Sequence, residues 1–262
     1  MGRPATPTEA GSKPEFGVYL RDAAPAVKLF KAALVEDYEI INPEVGLPDP
    51  ERVTVYLCNH GPMFTPMAAP VLLIDHLLKI GGYEDLIAVT LFHRAIEFIP
   101  GLSPLLRRYF GHSTTKLRSM PGLIELMKER RFHVIGTAPE GISCVGSYDE
   151  PVGPFTRQGL MVAALAAEAQ IILTVQKGSE RFGKAVRLPF GLTVPGTQGA
   201  RGLVLPFWYP GYKARLRLKL RRYEPLMSAE ARAKLGPSER KAQLREELRR
   251  MRAQLVALYH SF

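Results

Sequence analysis

Cysteine is almost missing from this chain of 262 residues. Cys58 and Cys144 are the only two, too few for a disulfide framework, which suits a reducing cytoplasm. No stretch of about 20 residues is both apolar and free of charge, so no bilayer-spanning helix is expected. The nearest candidate, Gly159 to Val175, carries Glu168 and Gln170 and reads better as a helix followed by a strand. Repeats at a period of about 20 to 50 residues are also absent, which argues against a solenoid. The amino-terminal MGRPATPTEAGSKPE has no apolar h-region, so no secretory signal is expected. Its Pro, Gly, Ser and Thr content predicts a disordered lead over residues 1–15, with a single domain over 16–262. His76, His93, His112 and His133 show no metal-ligand spacing, and no metal is expected.

What is present supports a globular protein, since an apolar content of 46% is enough for a substantial core. The net charge of +10 is unevenly placed. The basic segment 211–262 holds 14 Lys plus Arg against 5 Glu, a net +9, which leaves +1 for the first 210 residues. Such a segment can face nucleic acid, anionic lipid or solvent alone. No nucleic-acid motif accompanies the charge, so nucleic acid is not an expected partner.

Hydrophobic spacing predicts an amphipathic helix over Ala24 to Glu39, closed by a proline-rich break. Val53 to Leu57 reads as a buried strand ending in Asn59-His60. Thr65-Pro66 is a helix start, and that helix should stop at Gly81-Gly82. Strands are expected at Leu86 to Leu91, Val134 to Thr137, Ile171 to Val175 and Arg215 to Leu220. Helices are expected at Ser119 to Arg131, Phe155 to Ala169 and Ser238 to Tyr259. The last should present Leu244, Leu248, Met251, Leu255 and Leu258 on one face. Glycine and proline between Gly178 and Tyr212 predict loops with little regular structure. Strand and helix thus alternate from Val53 to Val175, the pattern of an α/β fold with a largely parallel central sheet flanked by helices.

In such sheets reacting groups gather at the carboxyl ends of strands. Both Asn59-His60 and Pro139-Glu140-Gly141 fall there. A histidine after a buried strand is usually structural, but Gly61-Pro62 opens space beside this one, and a second strand ends in a carboxylate. A serine-hydrolase elbow is not expected, because Gly141-Ile142-Ser143-Cys144-Val145-Gly146 is one residue too long for it.

Four blocks in this order resemble the glycerolipid acyltransferase superfamily, which includes the lysophosphatidic acid acyltransferases. They are Asn59-His60 at a strand end, Gly111 to Arg118, Ala138-Pro139-Glu140-Gly141, and Thr174-Val175 after a small-residue helix. The segment FIPGLSPLLRRYF, Phe98 to Phe110, is similar to the apolar loop and basic helix ahead of the second block. The resemblance runs from about Phe16 onward and implies a glycerol-3-phosphate acyltransferase-like fold. It implies transfer of a fatty acyl group from acyl-CoA or acyl carrier protein to a lipid hydroxyl, as in phospholipid biosynthesis. The protein would be cytoplasmic and peripheral to an anionic membrane surface. No cofactor is implied beyond the thioester co-substrate.

The chemistry accounts for the residue types. Alcohol attack on a thioester needs a base that titrates near working pH, and His60 is that base. The oxyanion formed needs preorganised donors, such as backbone amides after Gly61. Glu140 would fix the loop or a substrate hydroxyl, or cap backbone amides. The resemblance implies catalytic parts for His60, Glu140 and the position of Thr65. It implies substrate contacts for Asn59, Gly61, Lys116, Arg118, Pro139 and Gly141, with Lys116 and Arg118 facing a phosphate. Three departures stand out: Thr65 occupies the place of an Asp that orients the imidazole, Ser143 that of an Arg, and Lys116 or Arg118 that of a second Arg. Asp75 lies about 15 Å along the same helix from Thr65, too far to stand in. The alternative is an acyltransferase-like lipid-binding or scaffold protein that lost the relay. Cys58 and Cys144 flank these blocks and are expected to be small packing residues.

Overall fold

A computed structural model of the chain describes residues 14–60, 65–90, 119–140, 152–155, 158–187, 189, 192, 202–206 and 211–262. Its centre is a seven-stranded sheet in the order β1-β4-β5-β3-β6-β9-β2. The strands are β1 (Val18–Tyr19), β2 (Val35–Ile41), β3 (Thr54–Cys58), β4 (Ile87–Thr90), β5 (Val134–Thr137), β6 (Gln170–Lys177) and β9 (Ala214–Tyr223). The four middle strands, β4, β5, β3 and β6, run parallel. β9 is antiparallel to β6 and parallel to β2, and β1 is antiparallel to β4. The expected largely parallel sheet is therefore present, with mixed edges.

β3 reads TVYLC, and every one of its residues is buried. A strand apolar on both sides belongs between two helical layers. Val55 and Leu57 join a cluster with α3 (Met120–Lys128), α4 (Gly159–Ala166) and α6 (Pro237–His260). Tyr56 and Cys58 face the opposite cluster with α1 (Leu20–Leu34) and α2 (Thr65–Ile80). On α6, Leu248, Met251, Leu255 and Leu258 are buried in the first cluster, with Leu244 partly buried beside them. Each buried side chain of that kind is worth about 2 kcal/mol.

The helix starts follow the local chemistry. Ser119 accepts the N–H of Gly122 at 3.2 Å and caps α3, with Pro121 in the first turn. α2 opens at Thr65 and ends where Gly81, at φ +83°, donates back to Leu77 O at 3.2 Å.

Three expectations need correction. The first helix stops at Leu34, and Val35–Ile41 is a strand paired with β9. Val35 and Tyr38 sit at a helical spacing, but the ladder to β9 outweighs that local pattern. The segment expected to be irregular contains a hairpin of β7 (Gly183–Arg187) and β8 (Gly202–Pro206). α4 is shorter than expected, because Glu168 takes a left-handed backbone (φ +53°) and β6 begins at Gln170. A short helix, α5 (Ala229–Ala233), also precedes α6. Of the expected lead, residues 1–13 lie outside the described residues.

One glycine is sterically required at the end of β6. Gly178 has φ +96°, and a Cβ there would stand 2.0 Å from Arg215 O.

Candidate active site

The register of the parallel strands brings two sequence blocks together. Leu57 of β3 pairs with Thr137 of β5, so three residues further on His60 comes level with Glu140. Glu140 Oε2 accepts the backbone N–H of His60 at 2.9 Å. The glutamate is 1% exposed, so this carboxylate sits in the fold rather than in bulk water.

On the other side of β3 the next rung of the ladder is made by a side chain. Asn59 N–H donates to Thr174 O at 3.2 Å, as regular parallel pairing demands. Regular pairing would then send Gln176 N–H to Asn59 O and Gln176 O to the N–H of residue 61. Instead Gln176 N–H donates to Asn59 Oδ1 at 2.8 Å, and Asn59 Nδ2 donates to Gln176 O at 3.4 Å. The asparagine carboxamide thus completes this rung for β6, just beyond the end of β3 at Cys58. The Asn59 carbonyl is taken by Gln176 Nε2 at 3.3 Å. Asn59 and Gln176 are both buried.

Cys58, the last residue of β3, stands in register with Thr174. Burial pushes its thiol up to about 12, and the nearby Glu140 charge adds to the shift, against a hydrogen bond with Thr174. Its burial in the apolar cluster with α1 and α2 suits a packing residue. Asp75 is engaged elsewhere: Lys31 Nζ, Tyr38 OH and Lys79 Nζ reach its Oδ2 at 2.7, 2.5 and 3.0 Å. Burial works to raise its carboxyl, and these three partners outweigh that and hold it below the usual range. Among the described residues no group of three or more His, Cys, Asp and Glu could hold a metal ion.

Of the residues singled out in the sequence, His60, Asn59, Pro139 and Glu140 stand together at the carboxyl edge of β3 and β5. Thr65 is described only by its backbone, as the first residue of α2. Gly61, Lys116, Arg118, Gly141, Ser143 and Cys144 lie outside the described residues, as do the Phe98 to Phe110 segment and Gly111. Gln176 was not foreseen. Its signal in the sequence is weak, a buried amide two residues after Thr174 in the apolar run IILTVQ.

The fold and the paired strand ends define an α/β sandwich with a histidine and a buried glutamate at adjoining carboxyl termini. No family model matches the chain, and no curated protein matches it. Among solved structures, it is similar to the 1-acyl-sn-glycerophosphate (LPA) acyltransferase PlsC from Thermotoga maritima. The two share 16% sequence identity at a TM-score of 0.45, over 90% of this chain and 78% of that one.

Proposed function

We propose that the chain is an O-acyltransferase carrying a fatty acyl group from acyl-CoA or acyl carrier protein to the hydroxyl of a lysophospholipid or related lipid. The observation that supports this most is the contact of His60 with Glu140 across two adjacent parallel strand ends. It gives a histidine on a fixed backbone at the edge of an α/β sheet where ligands bind.

His60 takes the proton of the acceptor hydroxyl as its oxygen attacks the thioester carbonyl. The tetrahedral oxyanion collapses, the C–S bond breaks, and the thiolate leaves with a proton returned by the imidazole. Asn59 acts by shaping the strand end, and Glu140 by holding the His60 backbone. Lys116 and Arg118 serve a phosphate of the acceptor or donor. The acceptor is a membrane lipid, so the protein works at an anionic surface from one side. No helix among the described residues is long and apolar enough to cross a membrane.

A second reading, a lipid-binding protein without turnover, is favoured by one departure in the sequence: Thr65 stands where the resemblance implies an Asp that orients the imidazole. Release of free thiol from acyl-CoA in the presence of lysophosphatidate separates the two. His60→Ala is expected to abolish that release with an unchanged melting curve. Full turnover in a well-folded His60→Ala removes His60 as the base. Lipid binding by a wild-type protein that releases no thiol establishes the second reading.

A further inference from the structure

We infer that Gln176 is a positioning residue for His60, acting with Glu140 to lock the one peptide plane that leads into the histidine. The inference rests on the proposed part of His60 as base, but its structural core is independent of it.

The peptide unit between Asn59 and His60 is planar, with its carbonyl and N–H pointing in opposite directions. Its carbonyl oxygen accepts from Gln176 Nε2 at 3.3 Å, and its N–H donates to Glu140 Oε2 at 2.9 Å. The two side chains come from opposite neighbours of β3, Gln176 from β6 and Glu140 from just beyond β5. Both are almost fully buried, at 2% and 1% exposure. Rotation of this plane would break both bonds at once and strand the buried side chains of Gln176 and Glu140 without these partners. With the plane fixed, the His60 Cα is fixed with it, and the only backbone rotation left that moves the side chain is the histidine's own φ.

Asn59 makes the arrangement possible. By giving its carboxamide to the backbone of Gln176 it satisfies β6 without its own carbonyl, and so leaves that carbonyl for the Gln176 side chain. Gln176 therefore holds Asn59 twice, through its backbone and through its amide. A side chain used only to fill the core would need none of these donors, and an apolar residue would fill the same volume at less desolvation cost. General-base catalysis depends on the imidazole standing within hydrogen-bond reach of its proton, and misplacement by about 1 Å can cost on the order of 100-fold in rate.

The test uses the full chain and two readouts. Gln176→Met keeps the length and burial and removes the donor. Gln176→Glu, nearer in shape, serves where the first variant does not fold. Amide exchange of His60, followed by NMR, is expected to speed at least tenfold in the variant, while the amides of Val55 and Leu57 keep their protection. Thiol release from acyl-CoA with lysophosphatidate is expected to show kcat at least tenfold lower per folded molecule, with KM for the thioester within about twofold. A mainly structural residue would lower melting temperature without this split. Unchanged His60 exchange, or unchanged kcat in a variant whose exchange has risen, overturns the inference. A wild-type protein without turnover, whose His60 exchange still rises in the variant, sinks the acyl-transfer reading and leaves the locked plane standing.

Discussion

Glu140 and His60 meet by register: the carboxylate of one strand end holds the backbone N–H of the next at 2.9 Å. Removing the carboxylate leaves a part-buried donor without this partner, which costs up to about 1–3 kcal/mol. Glu140→Ala is therefore expected to lower stability by that amount in urea unfolding. Glu140→Gln, which keeps an acceptor oxygen, is expected to recover most of it. Equal stability of Ala and Gln variants would show that the bond does not hold the loop.

Thr65 tests the relay. An acidic residue in the first turn of a helix interacts favourably with the helix dipole, so Thr65→Asp is expected to cost no stability. On the reading that position 65 adjoins the imidazole, as the resemblance implies, a carboxylate there raises the imidazole pKa and moves the acid limb of the pH–rate profile to higher pH. Turnover above that limb is expected to rise at least tenfold, or about 1.4 kcal/mol in barrier. No gain at any pH, with matched melting curves, removes Thr65 from the catalytic set.

His133 makes stability depend on pH. Its Nδ1 accepts the N–H of Ile87 at 2.9 Å, which only the neutral ring can do. Burial, helped by the Arg130 charge, lowers its pKa below the usual histidine value of 6.5. The unfolded chain then binds more protons than the folded one below about pH 6.5, so stability falls as pH drops from there. His133→Asn keeps an acceptor at the δ position without a titrating group. Its stability between about pH 7 and 5 is expected to be flatter than that of the parent, by urea midpoints at each pH. Parallel curves would contradict the assignment.

Glu247 and Arg232 carry the junction of α5 and α6. Both are buried, with Arg232 Nη2 at 3.5 Å from Glu247 Oε1. Glu247 also accepts from Leu226 N–H and Gln243 Nε2, at 2.8 and 2.9 Å, and from the Tyr223 hydroxyl. Breaking such a buried pair from one side costs about 3–5 kcal/mol. Glu247→Ala is expected to fall in that range by urea unfolding, and pairing it with Arg232→Met should return a substantial part. Additive losses in the double variant would show that the two do not act as a pair.

The basic stripe of β9 tests the membrane. Arg215, Arg217, Lys219 and Arg221 share one face of the strand, since Ala214, Leu216, Leu218 and Leu220 are buried on the other. Arg215 and Arg217 pair with Glu36 and Glu39, but exposed pairs are worth under about 1 kcal/mol each, so an anionic bilayer competes for these cations. Each contributes about 1 kcal/mol near such a surface, within a Debye length of about 8 Å at physiological salt. Vesicle co-sedimentation is expected to weaken as salt rises and to drop when all four are changed to Gln. Equal binding to neutral and anionic vesicles would refute it.

Much of this was legible in the sequence where local signals and tertiary structure agree. β3 and β5 are short apolar runs that stop at polar residues, and the face of α6 follows directly from its spacing. β2 escapes a local reading because VEDYEII, on a sheet edge, is half exposed and its period is blurred. Its partner lies at the other end of the sequence, where no local pattern can reveal it. Gln176 is hidden in the sequence for a related reason. An amide inside a buried strand gains meaning only once the register sets it opposite Asn59.

The pairing of β2 with β9 also constrains the order of events as the chain is made. Glu36 and Arg215, which bridge the two strands, are 179 residues apart in sequence. Among the described residues, β9 is the one strand that pairs with β2. At about 5–20 residues per second, the interval between synthesis of the two strands is roughly 10 to 40 seconds. Throughout it β2 is a strand waiting for an edge, and contacts of such long separation form slowly. Glu36, Asp37 and Glu39 put negative charge on it in the meantime, which discourages pairing with a neighbouring nascent chain. The acidic residues of β2 thus serve twice, first as a guard against the wrong partner and then as the counter-charge of the right one.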